Sequence, residues 1–132
     1  RQHPEYHLLM GECKLQLGAV KEAIQYFSAA VRLKPKNIAG WEALIRCLYH
    51  QELYTEARTQ TLAALHNTSN RPIFLYYLSA VLLALGKTKE ALLYLAQALT
   101  LAPRTLRKLV SLNPSLLQNS GVVDVIAKHK KK

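Results

Sequence analysis

Acidic residues are sparse in this chain of 132 residues: eight Asp and Glu stand against 18 Lys and Arg, a formal net charge of +10. The shortage is steepest at the end, where residues 104–132 hold Asp124 alone against Arg104, Arg107, Lys108, Lys128, Lys130, Lys131 and Lys132. Such an excess points first to RNA or another anionic surface. Yet no aromatic residue is interleaved with those lysines to stack a base, and a closing KHKKK run is more simply a solvated tail. Long apolar runs are missing as well. The stretch PIFLYYLSAVLLALG at residues 72–86 carries no charge, but it is shorter than the roughly 20 residues that cross a bilayer, so no membrane span is expected. With two cysteines there is no disulfide framework. The five histidines, His3, His7, His50, His66 and His129, are scattered, with no metal-ligand spacing. A glycine-rich phosphate loop, GxSxG and HExxH are all absent. No residue can therefore be nominated as nucleophile or base, and neither an enzyme, a cofactor nor a metal is expected. No signal peptide is visible; the sequence leaves the compartment open, with a cytoplasmic location favoured.

What is present is apolar and periodic. Half of the residues are hydrophobic and a fifth are charged, the composition of one globular domain with a real core. Pro4 and Pro72, Gly18 and Gly86, and Pro35 and Pro103 are each separated by twice 34 residues. Ala23, Ala57 and Ala91 fall on the 34-residue step, as do Ala30, Ala64 and Ala98, and Cys13 and Cys47. Each unit divides into two segments with apolar residues at helical spacing. In the first these are EYHLLMGECKLQL and VKEAIQYFSAAVRL, parted by Gly18, a favoured helix stop. The units are 4–37, 38–71 and 72–105, with residues 106–132 left as a tail. A 34-residue period of paired helices is the mark of a helix-turn-helix repeat.

On these residues the chain resembles the tetratricopeptide repeat family. Gly11, Gly18, Ala23, Phe27, Ala30 and Pro35 in the first unit occupy the family's signature positions. Trp41, Leu44, Tyr54, Ala57 and Ala64 do so in the second, and Leu78, Gly86, Ala91, Ala98 and Pro103 in the third. The second unit departs most: Glu52 replaces the turn glycine, Thr61 the large packing residue and Ser69 the closing proline, which predicts a looser joint before the third unit. The resemblance implies an all-α, right-handed superhelix of three helical hairpins with C-terminal capping helices. It resembles the closing part of a longer bacterial array, with an uncovered N-terminal end open to self-association.

The resemblance also implies a non-enzymatic scaffold that holds a protein or peptide partner on its concave face. By the family's pattern the first helix of each unit lines that groove, giving Glu12, Glu42, Arg46, Tyr49, His50, Ile73, Tyr76, Tyr77 and Ala80 as candidate partner-binding residues. Chaperone-binding relatives carry a clamp of Lys, Asn and Arg for a partner's terminal carboxylate. Here Leu8, Glu12, Ala43, Ile73 and Tyr77 stand in those places, so binding of acidic chaperone tails is not expected. The alternative function is contact of the basic terminus, with Arg32, Lys34 and Lys36, with RNA or an anionic surface. Both cysteines are expected as buried thiols, since helices packed 8–10 Å apart hold them too far apart to bridge. The triplet Asn67-Thr68-Ser69 fits a glycosylation acceptor but is common by chance.

The charge-free segment at 72–86 needs a cover on all sides. Its own tail is the expected one, ahead of a second copy or a foreign peptide. A short helix containing Leu106, Leu109, Val110 and Leu112 should stop before Asn113-Pro114. A last helix, capped by Asn119 or Ser120, should present Val122, Val123, Val125 and Ile126 inward.

Overall fold

A computed structural model of the protein describes residues 3–131. Among these it contains eight α-helices, two short 3-10 turns and no strand. The helices are α1 (Pro4–Gln16), α2 (Val20–Leu33), α3 (Ile38–His50), α4 (Tyr54–Asn67), α5 (Pro72–Ala84), α6 (Thr88–Leu101), α7 (Leu106–Leu112) and α8 (Ser120–Lys130). The 34-residue step is visible in the backbone itself: α1, α3 and α5 begin at 4, 38 and 72, and α2, α4 and α6 at 20, 54 and 88.

Each hairpin turns in the same way. The amide of Gly18 donates to Leu15 O and that of Ala19 to Lys14 O; Glu52 and Leu53 repeat the pair on Tyr49 O and Leu48 O, and Gly86 and Lys87 on Leu83 O and Leu82 O. This pair of hydrogen bonds closes a helix only if one residue enters the left-handed region. Gly18 and Gly86 do so at φ of 80° and 79°, without a Cβ to clash. Glu52 is forced there at φ 60°, at a cost of about 1–2 kcal/mol for an L side chain.

The second helix of each hairpin carries the packing stripe. Ala23, Phe27 and Ala30 lie one and two turns apart, and the 34-residue step repeats them as Ala57, Thr61 and Ala64, then Ala91, Leu95 and Ala98. All nine are 0% exposed. The alanines let the partner helix approach, and the middle residue fills the space between. In α4 that residue is only a threonine, and its hydroxyl is satisfied by donating to Ala57 O at 2.6 Å.

The chain divides into two compact units, the first ending at Ser69 and the second beginning at Asn70. Ser69 and Asn70 both take left-handed backbone angles, φ 55° and 60°. The boundary falls at the place where serine stands for the closing proline. In the first unit α2 packs against α1 and α3, and α3 against α4. Asn37 caps α3 through Gly40 N, and Trp41 Nε1 donates to Pro35 O at 2.6 Å.

In the second unit ten consecutive residues of α5, Ile73 to Leu82, are buried. Helix α6 packs against α5, and so does α7, through which the tail supplies the cover that so apolar a helix needs. Leu109 and Leu112 are 1% and 2% exposed. The tail is built as a shortened further hairpin, with α7 on α5 and α8 on α6. Gly121 of α8 lies against Leu92 of α6, while Val125 and His129 share a cleft with Ala96 and Thr100. On both helices the cleft residues lie C-terminal to the Gly121–Leu92 contact, so α8 runs parallel to α6. Asn113 caps the 3-10 turn at Pro114–Gln118, and Asn119 caps α8 through Val122 N at 3.1 Å. Val122 is the deep residue of α8 at 0% exposure, whereas Val123, expected on the inner side, is 43% exposed. The register on α6 turns Val122, Val125 and Ile126 inward and leaves Val123 outside.

Two outcomes follow. Replacing Glu52 with Gly should raise stability by about 0.5–1 kcal/mol, the strain relieved less the extra chain entropy of glycine; an unchanged or lower denaturation midpoint would remove the strain argument. Tyr76, 0% exposed, donates its hydroxyl to Ala102 O at 2.8 Å, and burial pushes its pKa up to about 12. The unfolded phenol ionises near pH 10, so this group withdraws stability as pH rises from 10 to 12. Tyr76→Phe should cost about 1 kcal/mol at pH 8 and flatten the fall in midpoint between pH 10 and 12.

Candidate functional site

The first unit holds a cleft of about 350 Å³ between α1 and α3, floored by α2. It exists because α1 packs extensively only on α2. With α3 also seated on α2, the space between α1 and α3 stays open. Glu12 and Leu15 come from α1, Val20 and Phe27 from α2, and Ala43, Arg46, Cys47 and His50 from α3, with Gln51 just beyond it. Phe27 sets the floor. A Cβ built on Gly11 would lie 2.5 Å from Cε1 of its ring, so a glycine at this point is what allows the phenyl group to lie flat against α1. An exposed ion pair, Lys14 Nζ to Glu22 Oε1 at 2.9 Å, links α1 to α2 nearby.

The cleft gathers three of the residues picked out by the sequence: Glu12, Arg46 and His50. They form a polar rim of both signs around an apolar floor. Glu42 lies one turn before Arg46 on α3, half-buried. Tyr49 is buried, its ring edge-on to those of His50 and Tyr54 at 5.7 and 5.5 Å. Ile73, Tyr76, Tyr77 and Ala80 lie in the interior at 7% exposure or less, so as placed here they offer no surface to a ligand. Sequence reasoning did not pick out Val20, Phe27, Cys47 or Gln51 as groove residues. Phe27 and Cys47 were marked by the repeat itself, as core positions, and only the gap beside α1 gives them a second role.

The two cysteines occupy equivalent positions in successive hairpins but different surroundings. Cys47, on a helix packed against α2 and α4, is 5% exposed. Burial pushes its thiol up, against a smaller downward pull from Arg46. Cys13, expected to be buried, is exposed, because no second helix packs extensively on α1. Both are free.

A second depression in this unit, about 370 Å³, is lined by Ser28, Val31, Arg32, Pro35, Trp41, Gln60 and Asn67. It gathers none of the candidate groove residues, although Arg32, named for the anionic-surface alternative, is among its lining. The side-chain amide of Asn67 donates to Ala63 O at 2.8 Å, so the glycosylation triplet has its acceptor nitrogen turned back onto its own helix. No group of three or more His, Cys, Asp or Glu among the described residues could hold a metal ion. No described helix is long and apolar enough to cross a membrane. A maleimide probe should modify Cys13 at least about tenfold faster than Cys47, since the reactive thiolate at Cys47 is both buried and disfavoured. Equal rates, read by peptide mass mapping, would mean that the floor of the cleft opens readily.

Comparison with known proteins bears on the repeats. Two family models match, both tetratricopeptide repeat models, one over residues 14–76 and the other over 54–104. No curated protein matches the chain. Among solved structures, MamA is similar over 98% of this chain and 77% of its own, at 15% identity and a TM-score of 0.71. The first TPR of Spaghetti (RPAP3), solved with the HSP90 peptide SRMEEVD, covers 97% of this chain and 90% of its own at 15% identity and a TM-score of 0.65. YrrB, described as a TPR protein with an unusual peptide-binding site, covers 96% and 77% at 15% identity and a TM-score of 0.62. With the repeated helix starts, the repeated turns and the buried alanine series, these matches establish that the chain is an all-α member of the tetratricopeptide repeat family.

Proposed function

We propose that this protein is a non-enzymatic interaction module that holds a peptide segment of a partner protein in the cleft between α1 and α3. The observation that carries this reading is the convergence of Glu12, Arg46 and His50 over a floor containing Leu15, Val20 and Phe27. An apolar floor with a few convergent polar groups is the usual make-up of a recognition pocket. Two structures that share the fold, RPAP3 and YrrB, are described with a peptide or a peptide-binding site. The RPAP3 peptide ends in Glu-Glu-Val-Asp, three acidic residues in its last four. In this cleft Glu12 would repel such a tail. A segment with an aliphatic anchor for the floor and polar groups for Glu12 and Arg46 suits the rim better. The residues present favour binding over reaction, since burial holds the Cys47 thiol in its protonated, poorly nucleophilic form.

A random peptide library displayed on phage tests the reading. Peptides selected on the native protein should lose at least about tenfold in affinity for an Ala43→Phe variant, which fills the cleft, with helical circular dichroism unchanged. Because Ala43 is half-buried, the exposed-rim variant Glu12→Lys provides a second arm. If no sequence is enriched, or if both variants bind selected peptides as well as the native protein does, the cleft is not the binding site.

A further inference from the structure

The positive charge of this chain is divided unequally. From Asn70 onward there are ten basic residues against Glu90 and Asp124, a net of +8 out of the +10 of the whole chain. The fold concentrates much of it at one end of the second unit. Because α6 and α8 run parallel, their carboxyl ends lie side by side, with Thr100 of α6 beside Lys128 and His129 of α8. Lys130 ends α8 and Lys131 follows as its cap, and Arg104 lies on the 3-10 turn that follows α6. Arg104, Lys128, Lys130 and Lys131 are exposed. Two helix ends account for about one negative charge between them, and Asp124, one turn before Lys128 on α8, supplies another, which leaves about half of this cluster uncompensated. Glu90 is in the first turn of α6, at the opposite end.

Between the same two helices is a cleft of about 230 Å³ lined by Ala96, Thr100, Val125, Lys128 and His129. A void of about 150 Å³ is enough to take a benzene ring, so a leucine or phenylalanine side chain fits. We propose that this end of the second unit docks an acidic peptide segment of a partner protein, with an apolar side chain between α6 and α8 and flanking carboxylates on Lys128, Lys130 and Arg104. The site is separate from the cleft between α1 and α3. Charge complementarity selects an acidic partner, and two further observations select a peptide. No Phe, Tyr or Trp occurs from residue 95 to 132, so nucleic acid would find no aromatic platform. Val122 is buried and Val125 and Ile126 are half-buried where α8 packs on α6 and on the 3-10 turn at Pro114–Gln118, so the apolar side of α8 is not free to enter a lipid surface as an interfacial helix requires.

The test uses the full chain and a fluorescein-labelled nonapeptide in which Leu and Glu alternate. A Leu–Lys peptide, a uridine 20-mer and vesicles containing phosphatidylserine serve as competitors. The Leu–Glu peptide should bind, lose at least tenfold in affinity with Arg104→Glu and Lys128→Glu combined, and lose as much with Ala96→Trp, which fills the cleft. Ala96, Arg104 and Lys128 are exposed, so these variants should keep the fold, checked by circular dichroism. Ala43→Phe should leave this affinity unchanged, which separates the result from that for the other cleft. Amide shifts at Thr100, Val125 and His129 should move on titration. Absence of binding, insensitivity to either variant, or tighter binding of the RNA or the vesicles than of the peptide would overturn the proposal.

Discussion

Every hairpin of this protein depends on how closely its two helices can approach. The approach is set by three positions on the second helix, alanine, a space-filling residue and alanine, all fully buried in each copy. An alanine stripe lowers the surface of one helix so that the side chains of the other can settle into it. Burial of a residue such as Phe27 or Leu95 then contributes about 2–3 kcal/mol. Once that distance is fixed, little else is free. The helices must turn within a few residues, the turn must pass through the left-handed region, and the chain accepts strain at Glu52 to keep the geometry. Gly11 extends the same rule to the first helix, where the ring of Phe27 takes the space of a side chain.

The same packing explains why the two clefts lie where they do. A helical hairpin has two partners to offer its neighbours, and a gap opens wherever adjacent helices rest on a common support more firmly than on each other. In the first unit α1 and α3 rest on α2, and the opening between them is floored by Phe27. In the second unit the tail behaves as a hairpin cut short. Helix α7 closes over α5 while α8 lies along α6 and leaves a smaller opening toward their carboxyl ends. Charge separates the two openings. The first has a rim of both signs, and the second lies in the strongly basic part of the chain.

Much of the fold was legible because its information is periodic. The spacing of Ala23, Ala57 and Ala91, the glycines at 18 and 86 and the prolines near the joints follow the same step as the helix starts. Asn119 as a cap and the stop before Asn113-Pro114 were legible for a local reason, since capping depends on a residue and its next few amides. The candidate site was less legible. Glu12, Arg46 and His50, chosen by position within the repeat, line one cleft, but the same rule also selected Ile73, Tyr76, Tyr77 and Ala80, which are buried. A repeat rule sees equivalent positions, not their neighbours: Cys13 and Cys47 are equivalent in sequence, yet one is exposed and the other is not.

The sequence alone therefore determined that helices form, where each turns and which stripe of each is buried, because these follow from side-chain size and backbone conformation within 34 residues. Only the tertiary structure decided which equivalent side chains end in a cleft and which in the core. That outcome depends on what packs against each helix from elsewhere in the chain. The apolar side of α5 became interior because α6 and α7 seat on it, and the basic groups of Arg104 and Lys128 share one end because α8 runs parallel to α6.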